Sequence, residues 1–408
     1  MASQPEYDVL VVGGGMAGAT LAIALASCQR RIGLVEAVPQ TAPEQPSYDD
    51  RGLVLSVSSQ RVLKGLGLWE SLQIRSQPVR QVHVSDQRHF GCVRLRADAL
   101  GMTVLGHVVQ AQALGAVLQQ TLSAVGNIDF ICPARVQTAK ILPDQANLHI
   151  SSNSDERILH TRLLVAADGS RSPLRQAFGI EIDHHDYNQT AIVSSVTPER
   201  PHHDTAFERF NPNGPLALLP LNANRCVLVY TVPTAQATEI LELPDDAFLA
   251  RVQQAFGRRL GCLQEPGPRK SYPLHSIIAK EQVRERLVVL GNAAHTLHPN
   301  GAQGFNLCLR DIAGLAEVLL PVLRQAEDPG QRRVLNLYRD LRKPDQAAVH
   351  QFTHGLASLF YNEIPHKVMF RNFMMLILEM MPALKNRLAL RAMGLTSKQP
   401  RLVRGMTL

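Results

Sequence analysis

The sequence lacks the marks of a secreted, zinc-binding or membrane-spanning protein. Its six cysteines are scattered without CxxC or CxxH spacing, which argues against a zinc site or a disulfide framework and suits a reducing cytosol. The polar start MASQPEYD does not have the charged and then apolar segments of a secretory signal. No uncharged apolar run reaches the roughly 18–20 residues that span a bilayer. We therefore expect a cytoplasmic protein.

Excess basic charge is scarce outside the C-terminal tail. The chain has 42 basic and 35 acidic residues. Residues 366–408 contain eight of the basic residues and one of the acidic residues, so the rest of the chain has equal numbers of both. No stripe of interleaved aromatic and basic residues is visible, and nucleic-acid binding is not predicted. The hydrophobic content of 45% is typical of a globular protein, and 408 residues suggest two domains that can be interleaved.

The first part of the chain predicts a β-α-β unit. YDVLVV (7–12) is a short apolar run typical of a buried parallel strand, residues 16–29 are rich in Ala and Leu as a helix would be, and RIGLVEA (31–37) predicts the next strand. A further helix with a serine cap is expected from Ser58, and RLLVAADGS (162–170) and RLVVLG (286–291) resemble buried strands. From about residue 189 to 274, short β-rich runs separated by Asn, Pro and Gly predict an antiparallel sheet.

A glycine motif, GGGMAG, lies between the first strand and the first helix. Gly13, Gly15 and Gly18 form G-x-G-x-x-G: the first permits a tight turn, the second lets the backbone approach a pyrophosphate, and the third permits close helix–strand packing. Glu36 ends the next strand and is placed to accept hydrogen bonds from ribose hydroxyls. Together these residues predict a dinucleotide site, and the acid disfavours a phosphorylated ribose.

Two later motifs follow strands. DGSRSPLR begins with Asp168 and Gly169, which could form an ordinary capping turn, although the strand before it and the spacing of Ser172 and Arg175 favour a functional site. In GNAAHTLHPNGAQGFN (291–306), a Pro- and Gly-rich loop leads into a helix expected to begin near Gln303. Such a loop can lie flat against a planar ring, and its N–H groups and helix end can stabilise negative charge there. His295 and His298 lack a third ligand nearby, so no metal site is predicted.

These three motifs, in this order, resemble the class A FAD-dependent aromatic hydroxylases, which are para-hydroxybenzoate-hydroxylase-like flavoproteins. Longer stretches such as VHVSDQRHFG, LGHVVQ and GNAAHTLHPNGAQGFNLCLRD resemble one branch, the polyprenyl-methoxyphenol hydroxylases of ubiquinone biosynthesis. The likeness runs from about residue 7 to beyond residue 342 and weakens in the tail.

The resemblance implies an α/β fold in which a Rossmann-like FAD-binding domain is interleaved with a mostly antiparallel β-sheet substrate domain, followed by a helical C-terminal region. The FAD-binding segments would be 1–75, 106–182 and 276–345, the substrate-domain segments 76–105 and 183–275, and the basic helical region 346–408. It further implies that FAD is the cofactor, with NAD(P)H or another reductant as electron donor and dioxygen as co-substrate.

The resemblance also assigns residues to FAD. Gly13, Gly15, Gly18 and Glu36 would hold the ADP half, Arg51 would approach the flavin and pyrophosphate, Gln110 would contact the ribityl chain, Asp168 and Gly169 would lie at the pyrophosphate, and Pro299, Gly301, Gly304 and Asn306 would line the isoalloxazine. Position 292, usually Asp in the wider class, is Asn here. An amide can still donate and accept hydrogen bonds, so the asparagine is compatible with FAD binding, although a charge beside the flavin is lost.

The implied reaction is hydroxylation of a polyprenylated phenol through a flavin C4a-hydroperoxide, with the protein binding, orienting and excluding water. No general acid or base is therefore assigned: His83, His275 and His295 are the candidates, and histidines in such positions are more often structural. The alternatives are a hydroxylase of a small soluble aromatic compound, or a FAD-retaining scaffold subunit of a biosynthetic complex.

The tail permits two interpretations. Residues 368–394 are apolar with basic residues at the edges, and Pro382 is expected to divide them into two helices. These helices could cover the flavin domain with a Met-rich packing face, or could rest on anionic lipid at the inner membrane and draw in a polyprenyl substrate. The expected partners are a polyprenylated phenol, other ubiquinone-biosynthesis proteins and a membrane surface contacted through residues 366–408.

Overall fold

The structure, a computed structural model, describes residues 5–39, 42, 45, 47–49, 51–152, 155–360, 365–396 and 398–408. The strands are β1 (Tyr7–Val12), β2 (Ile32–Val35), β3 (Gly52–Ser56), β4 (Ser76–Val79), β5 (Gln81–Asp86), β6 (Cys92–Arg96), β7 (Gly106–Gln110), β8 (Ile128–Ile131), β9 (Arg135–Ile141), β10 (Ala146–Ser152), β11 (Asp155–Ala166), β12 (Ile182–Pro198), β13 (Thr205–Asn211), β14 (Gly214–Pro220), β15 (Cys226–Pro233), β16 (Leu263–Gln264), β17 (Lys270–Ala279), β18 (Val283–Arg284), β19 (Leu287–Val289) and β20 (His295–Thr296).

The α-helices are α1 (Met16–Leu25), α2 (Val57–Gly65), α3 (Trp69–Gln73), α4 (Ala111–Ala124), α5 (Pro173–Ala177), α6 (Thr234–Glu242), α7 (Asp245–Phe256), α8 (Gln303–Arg324), α9 (Arg332–Phe360), α10 (Pro365–Met380) and α11 (Pro382–Ala392). Short 3-10 turns cover Ala26–Cys28, Asp98–Leu100, Gly291–Ala293, Asn300–Ala302 and Leu402–Arg404.

A parallel sheet with strand order β19-β11-β1-β2-β8 forms the centre of the first layer. Strands β1, β2 and β19 and the second half of β11 are apolar and almost entirely buried, since helices α1, α4 and α8 cover one face. In a parallel sheet the carboxyl ends of the strands lie at one edge, where ligands bind. The glycine motif after β1, Glu36 after β2, Asp168 after β11 and Asn292 after β19 therefore meet at that edge.

A mostly antiparallel sheet forms the second layer. Its order is β20-β17-β12-β15-β14-β13-β5-β6, in which β5 joins β13 in parallel. Helices α6 and α7 pack on one face through Ile240, Phe248 and Phe256. The α/β fold class predicted from the sequence is confirmed, and so is the antiparallel sheet, although β12 already begins at Ile182.

The helix expected from Ser58 differs in detail. α2 begins at Val57, and the Oγ of Ser56 caps it by accepting a hydrogen bond from the Ser59 backbone N–H at 3.4 Å. The helix ends at Gly65, and Gly67, with a φ of +72°, separates it from α3. The cap lies two residues earlier than Ser58 because β3 leads directly into the helix.

The C-terminal region is helical, and Pro382 separates α10 from α11 as predicted. Helix α10 buries polar side chains: Nε of Arg371 lies 2.8 Å from Oδ2 of Asp86, and Nδ2 of Asn372 donates to the same oxygen at 2.8 Å. Both contacts tie the tail to β5 of the second sheet. No described helix is both long and apolar enough to cross a bilayer.

Candidate active site

A cavity of about 600 Å³ opens at the carboxyl edge of the parallel sheet. Its walls come from the β1–α1 loop, the end of β2, the start of β3, strand β9, the β11–α5 turn and the loop after β19. The predicted cofactor residues that line it are Gly13, Gly15, Glu36, Arg51, Asp168, Gly169 and Asn292. The fold therefore brings residues from five separate parts of the sequence to one concave surface.

The three glycines of the first motif meet different constraints. Gly13 has a φ of +102°, and a Cβ there would lie 2.4 Å from the Ala167 carbonyl oxygen. At Gly18 a Cβ would lie 1.9 Å from the Gly13 carbonyl oxygen. At Gly15 a Cβ would meet only the side chain of Ser47. Gly13 and Gly18 are thus required by backbone packing, whereas Gly15 faces the cavity.

The start of α1 is suited to an anion. Gly15 is its N-cap residue, and no side chain among the described residues caps the helix. The N–H groups of a first helical turn have no partner within the helix, and the helix dipole adds positive potential there. A pyrophosphate fits this position.

Glu36 is held in a fixed position beside the glycine loop. Its Oε2 accepts a hydrogen bond from the Gly14 N–H at 2.6 Å, and its Oε1 accepts one from the Val38 N–H at 2.8 Å. Each carboxylate oxygen can accept a second hydrogen bond. The carboxylate therefore keeps capacity for the ribose hydroxyls predicted from the sequence.

Only one of the two carboxylate oxygens of Asp168 has a hydrogen-bond partner among the described residues. Its Oδ2 accepts from the Leu174 N–H at 3.1 Å, whereas Oδ1 is buried without a partner among the described residues. Burial raises the pKa of this carboxyl group. A buried polar atom without a partner at a cavity wall fits a ligand that supplies the missing hydrogen bond.

The remainder of the DGSRSPLR motif is structural. The Oγ of Ser172 caps α5 by accepting from the Arg175 N–H at 3.0 Å. The Arg175 guanidinium is buried and donates from Nη1 to the Ala293 carbonyl oxygen at 2.8 Å and from Nη2 to the Ser170 carbonyl oxygen at 2.9 Å. Arg175 thus connects the turn after β11 with the loop after β19.

Arg51 lines the cavity from the opposite wall. Its Nε lies 2.7 Å from Oδ1 of Asp49, and its guanidinium lies 4.9 Å from the ring centre of Tyr272, whose hydroxyl donates to Asp49 at 2.6 Å. Burial favours a higher pKa for Asp49, but the hydrogen bonds from Tyr272 and Arg51 outweigh it and the pKa is lowered. Gln110 pairs with Gly52, a cavity residue, but is not itself among the described residues that line the cavity.

The loop after β19 resembles the glycine loop after β1, because the helix that follows it also begins without a side-chain cap among the described residues. Asn292 lies exposed at the cavity wall, and Ala302, with a φ of 52°, is the N-cap residue of α8 without a side-chain cap among the described residues. A Cβ added at Gly304 would meet no described atom within 4 Å. Pro299 and Gly301 are exposed. This bare backbone at the positive end of a helix has room for a flat, negatively charged ring.

Asn306 holds this loop in place. Its Oδ1 accepts from the Ser56 N–H at 2.8 Å and the Ser59 hydroxyl at 2.6 Å, and its Nδ2 donates to the carbonyl oxygens of Val54 and Ala302, each at 2.7 Å. These bonds use both donors and both acceptors of the amide. The contact of Asn306 with the isoalloxazine stays a prediction. The hydrogen bonds of its side chain hold the loop against β3 and the start of α2.

A buried ionic network lies behind the same loop. Oδ2 of Asp311 lies 2.6 Å from Nε2 of His295, and Oδ1 lies 2.7 Å from Nε of Arg342. Asp345 joins Arg342 to Arg310, whose Nε lies 2.8 Å from Oδ2 of Asp345. Burial opposes ionisation of Asp311, but the charge of Arg342 and the hydrogen bond from His295 lower its pKa to about 2.

The candidate catalytic histidines lie apart from one another and outside the cavity lining. His295 belongs to the ionic network, and His275 lies on β17 with its ring centre 5.8 Å from that of His184. Burial and the nearby charges of Arg259 and Arg94 lower the pKa of His83 to about 4. These positions favour structural roles. Among the described residues no group of three or more His, Cys, Asp or Glu could hold a metal ion.

Sequence reasoning missed two features. One is the Asp49–Arg51–Tyr272 arrangement, because Tyr272 is distant in sequence. The other is Glu208 on β13, whose carboxylate faces the Gly301 N–H. Burial raises its pKa to about 7, against the opposing effect of that N–H. The signal for this feature in the sequence was the acidic residue Glu208 within the β-rich segment TAFERFN.

The uncapped start of α1, the glycine cradle and the orphan oxygen of Asp168 fit the FAD that the motifs predict. Comparison with known proteins agrees: the family described as "FAD binding domain" matches residues 6–353. The chain is 36% identical to ubiquinone hydroxylase UbiL of Rhodospirillum rubrum, over 98% of this chain and 93% of that one. It is 29% identical to 3-demethoxyubiquinol 3-hydroxylase of Escherichia coli, over 97% and 100%. In fold it is similar to p-nitrophenol 4-monooxygenase PnpA of Pseudomonas putida, with a TM-score of 0.80, 18% identity and coverage of 97% and 100%.

Proposed function

The chain belongs to the FAD-binding-domain family of flavin-dependent monooxygenases, and from this membership we propose that it hydroxylates the aromatic ring of a polyprenylated phenol in ubiquinone biosynthesis. The supporting observation is the similarity to relatives named ubiquinone hydroxylases over nearly the whole chain, from the glycine motif to the tail. The proposed co-substrates are dioxygen and a reductant such as NADH or NADPH.

The proposed roles follow from the geometry of the cavity. The start of α1, with Gly13 and Gly15, would bind the pyrophosphate of FAD, and Glu36 would accept from the adenosine ribose. Bound FAD supplies the redox chemistry that activates dioxygen and transfers one oxygen atom to the ring. The start of α8 at Gly304 would stabilise negative charge on the reduced ring. The sheet face opposite this loop would exclude water and orient the substrate.

An isotope experiment tests this function. The FAD-loaded protein is incubated with NADH or NADPH, a short-chain 2-polyprenyl-phenol in detergent, and ¹⁸O₂, and the product is analysed by mass spectrometry. We expect one ¹⁸O-labelled hydroxyl group on the ring, with the other oxygen atom released as water, and no product from the FAD-free protein. Turnover of small soluble phenols alone would favour a catabolic hydroxylase. FAD binding without any oxygen-dependent product would favour a scaffold subunit.

The ring position that is hydroxylated requires a cellular experiment. Deletion of the gene should cause one ubiquinone precursor to accumulate, and that precursor lacks the hydroxyl group at the carbon in question. Restoration of the normal quinone profile by the wild-type chain, and not by a FAD-free variant, would connect the accumulation to catalysis. An unchanged quinone profile would contradict the proposal.

The tail supports a second part of the proposal, contact with the cytoplasmic face of an anionic membrane. Helix α10 exposes large apolar side chains: Met369 is 68%, Phe370 60%, Phe373 54% and Met380 72% exposed. Its polar Arg371 and Asn372 are buried against Asp86. The helix therefore buries two polar side chains beside Met375 and exposes an apolar surface, unlike an ordinary surface helix. The net positive charge of residues 366–408 complements anionic lipid headgroups.

Vesicle binding tests this contact. The triple substitution Met369→Ser, Phe370→Ser and Phe373→Ser leaves the Asp86 contacts intact, whereas truncation would remove the Arg371 and Asn372 contacts of this buried carboxylate. We expect sedimentation with phosphatidylglycerol vesicles to weaken at least tenfold, because each buried aromatic or Met side chain contributes roughly 1.5–3 kcal/mol.

The matched control exchanges exposed apolar residues elsewhere, Ile74, Ile158 and Leu337, for Ser. This control should bind vesicles like the wild type. Equal binding by both triple variants would contradict the membrane contact, and a change of oligomeric state confined to the α10 variant would identify a second copy as the occupant.

A further inference from the structure

One face of the antiparallel sheet carries a carboxylate in apolar surroundings. Glu208 of β13 pairs in register with Val84 of β5 and Ala217 of β14, and Ala217 pairs with Val229 of β15. Residues paired across neighbouring strands point to the same face. All four side chains are partly exposed, whereas Phe207 and Phe210 on either side of this part of β13 are buried. The face is therefore open to a ligand at this row.

This face is directed toward the candidate flavin site. A Cβ added to Gly52, which lines the cavity, would lie 2.8 Å from Cγ2 of Val227, two residues before Val229 on the same strand face. On the other side, the Gly301 N–H is close enough to the Glu208 carboxylate to influence its protonation. Glu208 thus lies where the second sheet meets the loop predicted to hold the isoalloxazine.

His83 and Arg209 lie on the opposite face of the antiparallel sheet from Glu208. His83 pairs with Phe207, and this opposite face packs against Phe256 of α7. Apart from the Gly301 N–H, no ion-pair or hydrogen-bond partner of the Glu208 carboxylate is found among the described residues. A partly buried carboxylate that can ionise without a counter-charge is costly to maintain unless a ligand uses it.

The other titratable or charged groups near this region have partners or are distant. His298, in the loop, is neutral at ordinary pH because burial lowers its pKa to about 4. Asp86 of β5 lies on the same sheet face and is bound by Arg371 and Asn372. Asp49, Arg51 and Tyr272 bind one another, and Arg225 binds Ser195 and Thr197. His354 of α9 and Tyr187 of β12 contact each other, and Lys270 is exposed.

We propose that Glu208 is a specificity-determining residue that accepts a hydrogen bond from the hydroxyl group of a neutral phenol and rejects aromatic rings that carry negative charge at that position. This inference rests on the proposed function, since it assigns the residue that receives the phenol. A carboxylate acceptor forms a stronger hydrogen bond than a neutral one, and it repels a second anion in a site of low polarity. The apolar neighbours Val84, Ala217 and Val229 would contact the ring itself.

Two probes that differ at one ring substituent test the assignment by binding. The probes are 2-methoxyphenol, which is neutral between pH 6 and 8, and 2-methoxybenzoate, which carries a carboxylate in place of the hydroxyl. Their dissociation constants are measured from the change in flavin absorbance of the oxidised, FAD-loaded protein, so turnover is not needed. The carboxyl group ionises as the pH rises through about 7. Phenol binding should therefore tighten and benzoate binding should weaken between pH 6 and 8.

The expected ratio of benzoate to phenol dissociation constants rises at least tenfold over this pH range in the wild type. Glu208→Gln should make the ratio independent of pH, and Glu208→Asp, which keeps the charge, should retain the rise. Glu242→Gln, an exposed residue of α6, is the matched control and should behave like the wild type. The FAD absorbance of each variant reports whether it has folded.

A pH-dependent ratio that persists in Glu208→Gln, or is absent in the wild type, would overturn the role of Glu208 and leave the proposed function standing. A flavin spectrum that neither probe changes at any pH would overturn both, because no phenol site would then adjoin the flavin.

Discussion

The two glycine-rich loops lead into α1 and α8, two of the helices that line the cavity, but they depend on glycine for different reasons. In the first loop, a methyl group at Gly13 or Gly18 would collide with backbone oxygen atoms. In the second loop, a methyl group at Gly304 would meet no described atom. The first loop is therefore shaped by the packing of its own backbone, whereas Gly304 leaves an open space that we predict the isoalloxazine to occupy.

The supports of the two loops differ as well. The first loop rests mainly on the backbone of β1, β2 and β11, for example through the Gly13 N–H, which donates to the Val35 carbonyl oxygen at 2.8 Å, and Glu36 is the side chain that adds to this support. The second rests on side chains: Asn306 on one side, and the network of His295, Asp311 and Arg342 on the other. Backbone support tolerates side-chain changes, but a buried ionic network is sensitive to the loss of any member.

The largest effect is expected from Arg342→Met, which removes a guanidinium that is 0% exposed and leaves Asp311 and Asp345 short of a counter-charge. Breaking a buried ion pair in this way destabilises proteins by about 3–5 kcal/mol. Chemical denaturation should show a loss in the free energy of unfolding of that size. The control Arg339→Met, on the exposed side of the same helix, should remain within about 0.5 kcal/mol of wild type. Similar losses in both variants would show that the network does not support the loop.

The second effect concerns the first loop. Gly18→Ala places a Cβ 1.9 Å from the Gly13 carbonyl oxygen, so β1 and α1 must separate. We expect a loss of about 1–3 kcal/mol in the free energy of unfolding of the FAD-free protein, together with at least tenfold weaker FAD binding. Gly126→Ala is the control, because its Cβ would meet no described atom. Unchanged stability of Gly18→Ala would remove the distinction between the two loops.

The sequence was sufficient for features that depend on neighbouring residues. The bounds of β1, the start of α8 at Gln303 and the break at Pro382 follow from local apolar runs, glycine and proline. The pairing of β5 with β13, the contact of Arg371 with Asp86 and the approach of Glu208 to Gly301 connect residues far apart in sequence. No local pattern specifies such pairings. The domain boundaries and the cofactor contacts of individual residues stay predictions.

The third effect separates binding from stability. Gly304→Ala adds a methyl group where the protein leaves space, and alanine is favoured over glycine in a helix by roughly 0.5–1 kcal/mol. The FAD-free protein should therefore unfold with equal or slightly higher free energy. If the isoalloxazine lies against this residue, the dissociation constant of FAD should rise at least tenfold, as measured by the fluorescence of released FAD. Unchanged FAD affinity would place the ring elsewhere.

The smallest effect is expected at the edge of the second loop. Asn292 is exposed at the cavity wall, and its side chain makes no hydrogen bond to another described residue, so Asn292→Asp should leave the free energy of unfolding within about 0.5 kcal/mol. The added negative charge should disfavour reduced, anionic flavin and lower the reduction potential, while FAD affinity changes less than about threefold because the site is open to water. A redox titration of the loaded protein measures the shift, with Asn222→Asp, in a distant exposed turn, as the control. An unchanged potential would mean that the second loop, like the first, acts on the cofactor through its backbone, and that the charge missing at position 292 is incidental.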